Sequence, residues 1–432
     1  MRIGFLNQCT VLTFAKFLKN TYKNLYTMTK KSLLFLLSFL IFFTSANAQE
    51  HNEGDKSEHT ATEAVEKYDP TPNIMSHIAN THEFHLFGHY SIPLPCIVYE
   101  KDGGSVKTFM SSVFEHGEKS YEGYISDHGV MKRVKDLAFP KDDLDLDVVH
   151  EHEGEKHFVE HDSLDNAFVQ YKGVKYEVEK GSGLLSSTSF YDFSITKNVF
   201  TMLMSGFLLL FLFTSAANAY KKNPNKAPSG IQNLLEPVVQ FITDDVAKPM
   251  IGKNYFKYLP YLLTIFFFIL ANNLIGLIPF APFGANVTGN IATTGALALI
   301  AFFVTNLNGT VDYWKHIFWM PNVAVPMKLF LAPIELIGVF TKPISLMIRL
   351  FANITAGHII IVALVSLIFV FGNAGHSMGG SVMGTLVAVP FTLFLSVIEV
   401  IVAFIQAFIF TILTASYIGA AIEEHHHAEA HH

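Results

Sequence analysis

Cysteine is nearly missing from this chain: its 432 residues include only Cys9 and Cys96. Two thiols, one of them ahead of a cleavable leader, leave Cys96 alone and exclude a disulfide framework. Tryptophan is equally scarce, at two residues. No glycine-rich phosphate cradle occurs, so no nucleotide site is expected in this chain. No basic stripe is present either, which argues against nucleic acid as a partner because nothing would replace phosphate counterions. The most informative scarcity lies near the C-terminus. Beyond Lys342 the one basic side chain other than histidine is Arg349, set inside an apolar run. An arginine at membrane depth costs at least a few kcal/mol, so it is kept where something needs a fixed positive charge.

What is present is mainly apolar. Half of the residues are hydrophobic and 40 are Phe, and the mean hydropathy is +0.33. The chain reads as an integral membrane protein with a soluble extension. Lys30 and Lys31, an apolar core over residues 33–43, and Ser-Ala-Asn-Ala ending at Ala48 predict a signal peptide over residues 28–48. Residues 1–27 then read as an upstream extension, and 49–70 as a flexible lead-in. Residues 49–190 hold 27 Asp+Glu against 13 Lys+Arg. Within them, residues 71–190 predict a small, β-rich exported domain: short alternating runs over 91–99 and 173–179 flank turns such as Asp102-Gly-Gly. The acidic stretch 141–165 predicts a loop.

Twelve of the 20 histidines lie between His51 and His161. His82, His85 and His89 have a spacing that would gather ligands on a helical turn. No cysteine accompanies them and the spacing matches no zinc motif, so solvated histidine is the default reading, as it is for the tail 425–432.

Residues 198–219 are long enough to cross a bilayer core. Lys221, Lys222 and Lys226 follow and put that end in the cytoplasm. Residues 231–258 mix charges with apolar positions and predict an amphipathic stretch at the cytoplasmic surface. Residues 260–280 cross outward and 293–307 return. Two overlong elements follow. Residues 328–372 would extend on the order of 65 Å as helix, with Pro333 and Pro343 as possible bends, and 384–421 contain Pro390. Neither can stand upright in a bilayer. The expected fold is an all-α polytopic membrane protein with about five crossing helices, the last two long and strongly tilted, and a cytoplasmic C-terminus.

Helical geometry sorts the polar groups. Asn353 lies about 40° from Arg349, and His358 about 180° away. On the last helix Glu399, Gln406 and Tyr417 fall within about 20° of one another. Buried Asn and Gln often only bridge membrane helices, whereas ionisable groups at that depth mark ion pathways. A static Arg349–Glu399 pair is the bland alternative. Glu335 reads as a pathway residue near the cytoplasmic end, and Lys342 as a snorkelling one. Asn272, Asn273, Pro279, Asn306 and Asn308 read as packing or bend residues.

The segment Lys342-Pro-Ile-Ser-Leu-Met-Ile-Arg-Leu-Phe-Ala-Asn-Ile-Thr-Ala-Gly-His358, with Glu399 and Gln406-Ala-Phe-Ile-Phe410, resembles the a subunit of bacterial F-type ATP synthases over roughly 198–424. The expected membrane domain is 191–424. Some members carry an acid at the position of His358 and histidine at that of Glu399, so the two are exchanged here. The exported domain has no counterpart in the short N-terminus usual in the family.

The resemblance implies a non-catalytic stator subunit without cofactor or metal. Two half-channels would carry protons to and from the carboxylates of a rotating c-subunit ring, coupling proton flow to ATP synthesis. It implies as partners that ring, the peripheral-stalk b subunit, the remaining synthase subunits and the lipid bilayer, with the chain in the bacterial inner membrane and its N-terminal domain periplasmic. Arg349 would be the essential charge facing the ring, because guanidinium cannot neutralise itself by losing a proton. Asn353, His358, Glu399 and Gln406 would serve the outer channel and Glu335 the inner one. The competing class is a stand-alone secondary transporter or channel binding an anion at Arg349; such proteins usually show internal repeats, and none is visible. A scaffold with purely structural polar contacts is the third reading.

Overall fold

A computed structural model describes residues 79–87, 90–101, 103–127, 129–136, 138–152, 155–161, 166–179, 188–222, 227–278, 284–320, 323–372 and 377–423. The signal peptide, its upstream extension, the lead-in, Lys226, Pro279 and the histidine tail lie outside these residues.

The N-terminal part ahead of the helices is β-rich, as its alternating runs predict. Its clearest sheet is three-stranded and antiparallel: Phe190–Asp192 pairs with Pro95–Glu100, which pairs with Val106–Met110. Strict alternation along Pro95–Glu100 turns Cys96 and Val98 inward onto Phe114, Tyr124, Met131 and Phe190. Gly104, at φ +63°, makes the hairpin turn that an L side chain would strain. Burial pushes the Cys96 thiol up to about 12, so this cysteine is a small packed hydrophobe. A second core holds Ile125, Phe139, Val169 and Val178.

Three expectations need correction. The run over 91–99 is two strands, Tyr90–Pro93 and Pro95–Glu100, since paired prolines around Leu94 interrupt the ladder. The acidic stretch 141–165 is not a loop. It carries Leu144–Asp145, His150–His152, Glu155–His157 and Val159–His161, paired as short antiparallel strands. His82 and His85 share no helical turn, since Glu83–Phe87 is a strand, and His89 lies outside the described residues. Among the described residues no group of three His, Cys, Asp or Glu is arranged to hold a metal.

The membrane part is helical: α1 Lys197–Lys222, α2 Ile231–Phe241, α3 Lys248–Ile251, α4 Tyr255–Gly276, α5 Ile291–Leu307, α6 Val311–Phe318, α7 Val325–Gly372 and α8 Met378–Ile422. Four helical elements are long and apolar enough to cross a membrane, or five if α5 and α6, bent by 102°, form one broken span. Capping explains the starts. Asn290 accepts from the Ala292 amide at the head of α5, Thr310 from Tyr313 at α6, and Ser377 from Gly380 at α8.

The stretch 231–258 is two-sided, as its mixture of charged and apolar positions predicts: Asp244, Asp245, Lys248, Lys253 and Lys257 are exposed. Leu235, Ile242, Val246 and Ala247 join the main core with Phe266, Leu350 and Ile418. Its apolar face is covered by the end of α8, where Gly419 permits the approach: a Cβ there would sit 1.9 Å from the Met250 carbonyl oxygen.

Elements α7 and α8 are single helices with Pro333, Pro343 and Pro390 inside them. At 48 residues α7 is on the order of 70 Å long. The pair runs antiparallel: going up α7, Lys342, Gly357 and Gly372 meet Tyr417, Glu399 and Ser381 in descending order. Small residues Ala403, Ala407 and Ala415 line the buried face of α8. This suits lipid, where close backbone packing replaces the hydrophobic effect.

Candidate functional site

Arg349 sits midway along α7 on the face turned away from the bundle. Four-residue spacing puts Ser345 and Asn353 on the same exposed face. The guanidinium Nη2 lies 3.5 Å from the Ser345 hydroxyl, a long contact. Among the described residues no carboxylate lies within ion-pair distance of it. Around it the wall of α7 is apolar and uncovered: Ile337, Phe340, Ile344 and Ile348 are each about half exposed or more. A lone cation on such a wall is costly unless an anion comes to it.

Glu399 points the other way. It is 5 % exposed, against the α7 backbone at Gly357. A Cβ at residue 357 would lie 2.6 Å from Glu399 Oε1, so the carboxylate needs glycine opposite it. Both carboxylate oxygens lack a hydrogen-bond partner among the described residues. Gly357 is eight residues beyond Arg349, about 12 Å along the axis. The static Arg349–Glu399 pair is therefore overturned.

The Glu399–Gln406–Tyr417 stripe does form one face. Glu399 and Gln406 are buried and Tyr417 half-buried. His358 follows Gly357 directly, so the acid and the imidazole come to the same level of the bundle; its Nε2 lies by Gly276 of α4. Asn353 is not brought to this cluster. It stays on the outer wall with Arg349.

The Lys342 ammonium lies 5.4 Å from the Tyr417 ring centroid, a cation–π contact rather than the expected snorkelling. Both line a cleft with Thr305, Asn306 and Tyr313. The Tyr313 hydroxyl donates to Asn306 Oδ1 at 3.2 Å. Glu335, half-buried, lies two turns before Lys342 on α7.

Sequence reasoning treated Asn273 as packing and passed over Thr288. The Thr288 hydroxyl donates to Asn273 Oδ1 at 2.6 Å, and Asn273 Nδ2 donates to the Ala403 carbonyl at 3.1 Å. Ala403 is one turn from Glu399. An uncharged outer loop beside the Asn272-Asn273 pair was the only signal available.

A family model described as ATP synthase A chain matches residues 199–419. A second, described only as a domain of unknown function (DUF8433), matches residues 73–156. The chain is 43 % identical over 249 residues to ATP synthase subunit a of Chlorobium phaeobacteroides strain BS1, covering 56 % of this chain and 70 % of the relative. Against ATP synthase subunit a of Chloroherpeton thalassium the identity is 44 % over 248 residues, covering 56 % and 71 %. Against that of Anaeromyxobacter dehalogenans it is 37 % over 249, covering 55 % and 61 %.

Proposed function

The chain belongs to the ATP synthase A chain family, and from this premise we propose how its residues carry the work. It is a multi-pass membrane protein with the stator proton-channel role in the membrane sector, associated with other ATP synthase subunits. In the proposed mechanism Arg349 is the fixed charge that draws the deprotonated carboxylate of a passing c subunit against the exposed α7 wall. Holding that carboxylate ionised favours proton release and keeps two half-channels electrically separate. Glu399, His358 and Gln406 serve the outer half-channel. Asn353 stands beside Arg349 at the handover to the ring. Glu335 serves the inner half-channel, with Lys342 and Tyr417 lining the cleft above it.

The observation that carries this reading is the split between the two charges: Arg349 exposed on an apolar wall without a counter-ion, Glu399 buried behind it without a hydrogen-bond partner. A ring of carboxylates supplies the first with its anion. Water supplies the second. The reading extends to an inner-membrane location, a signal peptide over 28–48, a periplasmic domain over 71–190 and contact with the peripheral-stalk b subunit.

Arg349→Ala in inverted vesicles tests it. ATP-driven acidification is expected to be lost while the synthase subunits still copurify; preserved acidification would sink the assignment.

A further inference from the structure

One face of the β domain departs from the polar character of the rest. In the sheet of Phe190–Asp192, Pro95–Glu100 and Val106–Met110, every second side chain fills the core, so the alternate positions point out. Strand pairing sets those outward positions in rows. Tyr191, Tyr99 and Val106 form one row. Ile97 and Thr108 begin a second, which Phe193 joins through its amide bond to the Ile97 carbonyl. Pro95 and Met110 begin a third, joined by Ile195, whose amide donates to the Pro95 carbonyl. None of the three rows carries a charge.

An antiparallel sheet with one packed face commonly turns a polar face to water. The other three-stranded sheet of this domain does so. Opposite its buried Ala167 and Val169, the outward positions include Glu160, Gln170, Lys175 and Glu177. The apolar face stands uncovered in a region where acids far outnumber bases: Val106 is 62 % exposed, and Phe193 and Met110 are each 42 % exposed. A contiguous apolar patch of this kind marks an interaction surface.

The face starts at the edge of the membrane helices. Ile195 stands two residues before α1, within about 7 Å of chain, and Leu94, next to Pro95, packs with Ala285 and Val287 in the connection between α4 and α5. From that edge the rows grade in polarity. The row nearest α1 is aliphatic, the next holds Phe193 and Thr108, and the farthest holds Tyr99 and Tyr191, whose rings stack at 6.4 Å. The Lys101 ammonium lies 4.2 Å from the Tyr191 ring centroid. Aliphatic, then aromatic, then tyrosine with lysine is the order in which a bilayer passes from hydrocarbon through its headgroups to water. The dimensions agree: rows about 7 Å apart suit a headgroup layer on the order of 5–8 Å deep on each side. The area also separates a bilayer from a protein partner. Three strands about 4.8 Å apart and three rows cover on the order of 300 Å², well short of the roughly 800 Å² per partner of a stable protein interface. A bilayer sets no such minimum, because α1 already tethers the domain beside it.

We infer that this sheet face is a lipid-docking surface. Its Ile195–Pro95–Met110 row and Phe193 sit among the phospholipid headgroups of the bilayer that α1 crosses, with Tyr99, Tyr191 and Lys101 at the water edge of that layer. Two of the three strands belong to the region matched only as a domain of unknown function, which thereby gains a role in seating the β domain on the membrane. Which leaflet it meets rests on the proposed function above. The contact with lipid does not.

Photo-crosslinking of the assembled complex in its native membrane tests it. p-Benzoylphenylalanine is incorporated singly at Thr108 or Met110 on the apolar face, and at Lys175 on the polar sheet of the same domain as the water-facing reference; all three positions are exposed. Copurification of the synthase subunits checks assembly, and Val106 replaces either test position that fails it. After irradiation the adducts of this chain are sorted by mass into phospholipid and protein. Positions 108 and 110 are expected to give phospholipid adducts about fivefold or more above position 175. Phospholipid adducts no more frequent than at 175 overturn the docking surface. Adducts chiefly to a second copy of the chain or to another subunit overturn it as well, since a protein then covers the face. The readout needs no pumping, so it stands or falls separately from the Arg349 test.

Discussion

The two halves of this protein treat buried charge in opposite ways. In the N-terminal β domain several buried acids and bases are matched. The Lys132 ammonium lies 2.6 Å from Asp127, which His161 also approaches at 3.1 Å, and Glu100 is shared by Lys107, Arg133 and the Tyr124 hydroxyl. In the membrane domain, among the described residues, Glu399 is buried without a hydrogen-bond partner and Arg349 faces outward without an anion. The cost of an unmatched charge is greater in lipid than in a water-bathed β domain, so the unmatched pair stands where selection is expected to remove it first. On the proposed mechanism, this separates charge used for structure from charge used for transport.

The sharpest way to break this contrast is Glu399→Gln. The amide keeps the shape opposite Gly357 and removes the ionisable group. If Glu399 handles protons, ATP-driven acidification in inverted vesicles falls by about 10²-fold, the typical weight of a positioned proton-transfer group. The complex meanwhile assembles as stably as before, or more so, because an unmatched carboxyl has been removed. Unchanged acidification would reduce Glu399 to packing. The mirror experiment is Lys132→Ala, which leaves Asp127 buried without its ammonium. It is expected to destabilise the exported domain by about 3–5 kcal/mol, read as faster amide exchange in the strands Tyr124–Asp127 and Val130–Arg133 of the intact complex. The double variant Lys132→Met, Asp127→Leu is expected to recover most of that loss. A single variant as stable as the parent would erase the contrast from the other side.

What could be read in the sequence follows the same division. Arg349 stood out because its cost is local and needs no partner to be noticed. Glu399 and Gln406 were placed on one face by the 3.6-residue period, and burial follows that face. The long helices were legible from uninterrupted apolar runs. Their starts were less so: α8 begins at Met378 because Ser377 caps it, whereas Gly379-Gly380 reads as a breaker. Tertiary partnerships left no trace. Nothing local tells Asn273 that Ala403 and Thr288 will meet it. The charges in 231–258 were legible as one side of an amphipathic stretch, but not the core that its other side fills.

The subtlest test concerns a matched pair at the junction between the β domain and the helices. His82 is buried, with Nδ1 2.9 Å from the Gly129 carbonyl and Nε2 3.2 Å from Asp192 Oδ2. Both nitrogens thus face acceptors, as an imidazolium requires. Burial alone would push the His82 pKa down, but the bond and charge of Asp192, then the Gly129 carbonyl and Glu83, outweigh it and hold it above the ordinary 6.5. Burial likewise works to raise Asp192, and the His82 and Ser194 contacts reverse that, keeping it below 3.8. The sign then follows. The His82 contribution to stability is complete below pH 6.5 and is lost as pH rises through its raised value. The Asp192 contribution is complete above 3.8 and is lost as pH falls through its lowered one. The pair is at full strength between those limits. His116, 3.4 Å from Glu83, is the other imidazole at this junction. The Leu94 amide, which donates to the His82 carbonyl, and the Lys197 amide, which donates to Thr81, report on it directly. Their exchange protection, corrected for intrinsic rate, is expected to decline from pH 6 to pH 9 in the parent and to stay flat in His82→Gln. A parent profile as flat as the variant's would mean that the imidazole is buried neutral, and the rule that the exported half matches its charges would lose its most demanding case.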